Sequence, residues 1–132
     1  MSHKIVVDAN VWIRFARSRN IHPLTERFVL YDILPYANNY LLSEVFDALV
    51  ENNWADAKTA LKIIDFIERV CEISAESAVY RISPDNKDNY LFDLAIQNNC
   101  EFIVSDDLNL VSFILKPVPV VTSNRFIKNF PI

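Results

Sequence analysis

A chain of 132 residues with 52% apolar residues and 23% charged ones is neither a disordered tail nor a membrane span, since no apolar segment approaches about 18 residues. Its net charge of −4 excludes a protein that grips nucleic acid with its whole surface, while leaving room for a local basic groove. The total absence of glycine excludes the glycine-rich phosphate loops of Walker and dinucleotide sites. The length predicts one domain over residues 1–132. Met1-Ser2-His3-Lys4 runs straight into an apolar stretch, so the expectation is a cytoplasmic protein with no membrane partner. Cys71 and Cys100 stand alone and read as reduced thiols.

The first predicted strand is Ile5-Val6-Val7, three β-branched residues in a row that stop at Asp8. A helix follows from Ala9 to Arg17, with Val11, Trp12 and Phe15 inward and Arg14 and Arg17 outward, like Arg19 just beyond it. His22-Pro23 is expected to break it, and Leu24 to Leu34 to form a second helix that Pro35 stops. Tyr40-Leu41-Leu42 reads as the second strand, leading into a helix from Ser43, its N-cap, to Glu51. Ala55 to Arg69 carries Ala57, Ala60, Leu61, Ile64 and Ile67 at helical spacing, and Val70 to Ile73 reads as a weak strand. Next come a short helix over Ala75 to Ile82, a polar loop over Ser83 to Lys87 and a strong helix from Asp88 to Asn98. Phe102 to Val104 is a strand, Leu108 to Leu115 a helix, Val118 to Val121 the last strand, and Ser123 to Phe130 a closing helix or turn. Such alternation implies right-handed crossovers and an α/β fold, three-layer α/β/α with a central parallel sheet of about five strands. Without glycine, the turns fall to Asn38-Asn39, Asn52-Asn53 and Asn98-Asn99.

Three of the predicted strands end in acids: Asp8, then Glu44 after Ser43, then Asp106 and Asp107 after Ser105. In an open parallel sheet the carboxyl ends of the strands form the crevice where ligands bind, so these acids are expected to pool. Asp88 joins them by helix geometry, because on a helical wheel it projects within about 20° of Ala95 and toward Leu91 and Leu94. Asp93 is expected to point to solvent, as are Asp47 and Glu51. An acid at a helix start also complements the helix dipole, which is the plain alternative for Asp88 and Glu44. Between Asp106 and Asp107 the run itself does not choose. Arg14, Arg17 and Arg19 read as a solvated helix face, or as phosphate contacts close to Asp8. Packed carboxylates raise one another's pKa, and a hard divalent cation such as magnesium or manganese relieves this with oxygen ligands alone. Such a metal lowers the pKa of a bound water and shields a phosphate, which suits phosphodiester hydrolysis.

Taken in order, Val7-Asp8-Ala9-Asn10, Leu42-Ser43-Glu44, Asp85 to Leu91 with Ala95, and Ile103-Val104-Ser105-Asp106-Asp107 resemble the PIN domain, the metal-dependent ribonuclease fold of VapC-type toxins. The resemblance covers essentially the whole chain. It implies Asp8, Glu44, Asp88 and Asp107 as catalytic, metal-ligating acids that hold Mg2+ or Mn2+, with Asn10, Ser105 and Asp106 in support. The family's pattern of threonine or serine, any residue, aspartate is what selects Asp107 over Asp106. Two positions depart from the family: Asn109 replaces a further acid, and Asp106 stands where a glycine is usual. The implied activity is a metal-dependent endoribonuclease, the toxin of a toxin-antitoxin pair. The implied partners are RNA, a cognate antitoxin protein and a second copy of the chain. A non-catalytic PIN-like module that binds RNA or protein is the alternative. A phosphoacceptor receiver domain is disfavoured, because Asp8 has no acidic neighbour and Thr122-Ser123-Asn124 follow Val121 where a lysine is required.

Overall fold

The computed structural model describes residues 2–75 and 89–132. Its elements run β1 (His3–Val7), α1 (Ala9–Arg17), α2 (His22–Leu30), β2 (Ile33–Ala37), α3 (Asn39–Glu51) and α4 (Ala57–Val70), then β3 (Glu72–Ile73), α5 (Asn89–Gln97), β4 (Phe102–Val104), α6 (Leu108–Ser112), β5 (Val120–Val121) and α7 (Ser123–Asn129). The strands form one all-parallel sheet in the order β3-β2-β1-β4-β5. The steps β1 to β2 to β3 run one way across it, and the return to β4 and β5 runs the other. Right-handed crossovers then place the connecting helices on opposite faces, giving three layers. The helix expected over Ala75 to Ile82, the loop Ser83 to Lys87 and Asp88 lie outside the described residues.

β1 sits at the centre because both of its faces are covered. Ile5, Val6 and Val7 are fully buried, which is why this strand reads as a continuous β-branched run with no polar alternation. Around it α1 and α4 both pack on α3, while α5 lies against β1, β2 and β4. The C-terminal helix closes the other end through Phe126, fully buried beside Phe28 and Phe102.

Four expectations need correction. The second strand is Ile33–Ala37, and Tyr40-Leu41-Leu42 belong to α3. Asn38, not Ser43, is the N-cap, its side-chain oxygen accepting from the Leu41 amide at 2.9 Å. An apolar triplet fits either period locally. The burial of Leu41, Leu42, Val45 and Leu49 at helical spacing settles it for helix. Pro35 ends no helix but sits within β2, where its missing N–H is harmless. The Ala37 carbonyl accepts from the Ser74 amide, so Pro35, two residues earlier, turns the same edge toward β3, and β3 begins only opposite Tyr36. His22-Pro23 likewise starts α2 rather than breaking a helix, since proline is tolerated in a first turn.

The fourth correction is Asp93, which is only 3% exposed. The wheel identifies one apolar face of α5, but Leu91, Phe92, Leu94 and Ala95 are all buried with Asp93, so this helix is covered nearly all round. In place of glycine, the left-handed backbone positions among the described residues are taken by Arg19, Asp32, Asn53 and Asn99, two of them in the expected Asn pairs.

Candidate active site

The parallel register of β1 and β4 builds the site. Val7 lies opposite Val104, and the Asp8 amide continues the ladder by donating to the Val104 carbonyl at 2.8 Å. Asp8 and Ser105 are therefore next to each other, one residue past the end of each strand. The Ser105 hydroxyl donates to Asp8 Oδ2 at 2.7 Å. Its oxygen also accepts from the Asp107 amide at 3.2 Å and from Asn10 Nδ2 at 3.4 Å, while Asn10 Oδ1 accepts from the Asp106 amide at 3.2 Å. Ser105 and Asn10 thus cross-link the two strand ends.

Burial pushes the Asp8 carboxyl up to about 6. The Ser105 hydroxyl and the Ala9 amide, at the start of α1, pull it down, while the charges of Asp107 and Asp106 push it further up. Among the described residues no ion pair neutralises Asp8.

Asp106 and Asp107 are adjacent in sequence and differently employed. Asp106 Oδ1 accepts from the Ser123 amide at 2.8 Å, and the Ser123 hydroxyl lies 2.9 and 2.8 Å from its two oxygens. Arg14 Nη1 reaches Asp106 Oδ2 at 3.4 Å and the Ser123 hydroxyl at 2.5 Å, and Arg14 Nη2 donates to Asn124 Oδ1 at 3.1 Å. Asp107 is the N-cap of α6, with Oδ1 accepting from the Asn109 amide at 3.0 Å. Its Oδ2 makes no hydrogen bond among the described residues.

The structure brings together Asp8, Asn10, Ser105, Asp106 and Asp107, with Arg14 at the rim. Glu44 is not at a strand end: it lies half-buried on the second turn of α3, the helix packed on α1. Asp88 lies outside the described residues, and among those residues no three metal-ligating side chains form one group. Arg17 leaves the rim to lie over the Trp54 ring, and Arg19 is exposed just past the end of α1. Sequence reasoning missed Ser123 and Asn124, whose only signal is that Thr122-Ser123-Asn124 opens a helix with a good cap.

The sequence matches the family model of the PIN domain over residues 4–109. The chain belongs to the PIN domain family. Among solved structures this PIN domain is similar to PAE2754 from Pyrobaculum aerophilum, with a TM-score of 0.69 at 11% identity over 98% of each chain. It is also similar to VapBC2 from Rickettsia felis, solved bound to a DNA fragment from their promoter, with a TM-score of 0.64 at 13% identity over 90% of this chain and 98% of that one. At those identities the likeness is one of fold. No curated protein matches the sequence. Among the described residues no helix is long and apolar enough to cross a membrane.

The donor chemistry of the PIN domain's strand ends fits a hard divalent cation. Only oxygen ligands are offered, and the buried carboxylate of Asp8 has like charges beside it and no cationic partner among the described residues.

Proposed function

We propose that this PIN domain is a metal-dependent endoribonuclease, the toxin of a toxin-antitoxin pair, with Asp8, Glu44, Asp88 and Asp107 as its metal-ligating and catalytic acids. The observation that carries the reading is Asp8: a carboxylate 6% exposed at the end of the central strand, raised to about 6, with Asp107 beside it. Burying a charge without a counter-ion is unfavourable, and a cation bound there removes the penalty. Mg2+ or Mn2+, when bound, supplies a water of lowered pKa and shields the phosphate.

The chain's own residues do the rest. Asp8 and Asp107 would hold the cation, with Glu44 and Asp88 as the further ligands. Ser105 orients Asp8 through its hydroxyl and receives the Asp107 amide, and Asn10 fixes the turn that carries both Asp106 and Asp107. Asp106 supports the site by positioning, since both its oxygens are taken by Ser123 and Arg14. The likeness to VapBC2 supports an antitoxin protein as the partner, and a second copy of the chain is the further partner we propose.

The test is cleavage of several RNA classes by the purified protein with Mn2+, with Mg2+ and with EDTA. Cleavage that needs the metal and stops in EDTA is the expected result. Equal cleavage in EDTA, or none with either metal on any RNA, refutes the enzyme reading and leaves a non-catalytic binding module.

A further inference from the structure

The acid site does not end at Asn10. A groove of about 600 Å³ runs from it along α1 toward the end of α3, lined by Asn10, Ile13, Arg14, Arg17, Asn52 and Trp54. We infer that the Trp54–Arg17 pair at the far end of this groove is a stacking platform for a base of single-stranded RNA, which rests on the nuclease reading above and assigns its substrate a binding subsite.

Three observations carry it. Trp54 is 43% exposed, which leaves a large apolar ring in contact with solvent. Its position is nonetheless fixed. Asn52 caps the end of α3, Asn53 takes a left-handed φ of 57°, and the Trp54 amide then donates to the Leu49 carbonyl at 2.9 Å. The guanidinium of Arg17 lies over the ring, its Cζ 3.8 Å from the centroid. That distance is short enough for a cation–π contact in which the guanidinium lies against the ring, and such a contact leaves its N–H groups able to donate at the edge.

Charge and shape then select the occupant. The groove is lined by two arginines and no carboxylate, and Arg14 shares its charge with Asp106 whereas Arg17 has no acidic partner among the described residues. A phosphate backbone suits that edge. A base adds a third flat layer to the indole–guanidinium stack, as bases of unpaired RNA do on aromatic rings and arginine planes. An acidic peptide satisfies the charge but brings no plane to match the stack, and a duplex keeps its bases out of reach.

The experiment uses Asp8→Asn protein in EDTA, so that RNA is bound and not cut, with a short single-stranded oligoribonucleotide carrying a fluorescent label as probe, whose anisotropy gives the affinity of every variant. Trp12 is fully buried, so its emission stays constant and the fluorescence change reports Trp54. Binding is expected to quench that emission. Trp54→Ala should weaken affinity by about 5- to 150-fold, Trp54→Phe should retain most of it, and Arg17→Lys, which keeps the charge and loses the plane, should fall between. An abasic oligonucleotide with the same phosphates should bind the Asp8→Asn protein no better than RNA binds Trp54→Ala. Equal binding with and without bases overturns the platform, and so does unchanged affinity in Trp54→Phe and Trp54→Ala. Metal-dependent cleavage by the wild type then still upholds the nuclease. Where Trp54→Ala does not fold, the abasic comparison decides alone. A Trp54 signal given by polyglutamate and by no oligonucleotide assigns the groove to a protein and overturns the inference. Neither binding nor cleavage of any RNA by the wild type overturns both readings together.

Discussion

Asp8 and Asp106 follow neighbouring strands of one sheet, yet their surroundings are opposite. Asp106 is met by the Ser123 amide, the Ser123 hydroxyl and the Arg14 guanidinium, so its charge is answered within the chain. Asp8 is more deeply buried and receives one side-chain donor, Ser105, with two further acids beside it. A carboxylate whose lone pairs are filled by its own protein stabilises the fold. One that is buried with its charge unanswered makes the folded state store repulsion, and such strain persists where a ligand repays it. The two aspartates, each just past a strand end on one rim, thus differ in whether the chain itself answers their charge.

The largest test of that contrast is Asp8→Asn. The amide keeps an acceptor for Ser105 and removes the charge, so in EDTA at neutral pH the variant should be at least as stable as the wild type. The wild type should gain about 2.7 kcal/mol at a manganese concentration a hundred times the dissociation constant, and the variant should lose most of that gain along with RNA cleavage. Thermal melts of both proteins with and without manganese decide it. A destabilised variant with an undiminished metal shift would show that Asp8 belongs with Asp106 as a structural acid.

The second test is pH. Folded Asp8 keeps its proton up to about 6, whereas the unfolded chain releases it near 3.8. Between those values the folded state binds more protons, so the stability of the metal-free protein should fall as pH rises, by roughly 3 kcal/mol for this one group. Denaturant melts in EDTA from pH 4 to 7, with the Asp8→Asn curve subtracted, should show that fall. A difference curve that is flat or rises across the window contradicts the buried, unanswered charge.

The third and smallest effect belongs to Asp106→Ala. It leaves the Ser123 amide without its acceptor and removes the carboxylate that the Ser123 hydroxyl and Arg14 share, which should cost about 1–3 kcal/mol in urea melts, and the same amount with manganese as with EDTA. A loss of the manganese shift in this variant would move Asp106 from the structural side of the comparison to the binding side.

Much of this was legible in the chain itself, for reasons that are local. Ile5-Val6-Val7 before Asp8, the helix Ala9–Arg17 and the strand Phe102–Val104 stand where their sequences place them, because the two triplets are rich in β-branched residues with a polar stop and the helix carries one clear period. The parallel α/β class followed from their alternation, and the likeness to the PIN domain from four short motifs taken in order. Tyr40-Leu41-Leu42 was not legible as helix, since three apolar residues fit both periods until Asn38 caps them and α1 and α4 cover their face. Nor was Asp93, whose burial depends on what surrounds α5 on its other side. Only the tertiary structure could separate Asp106 from Asp107 by their partners, or set Ser105 on Asp8 across 97 positions of sequence, because those contacts exist through strand register and the docking of α7. Residue type and order determined which acids could be put forward. The packing of distant segments decided which of them meet at one rim and which are held by other parts of the chain.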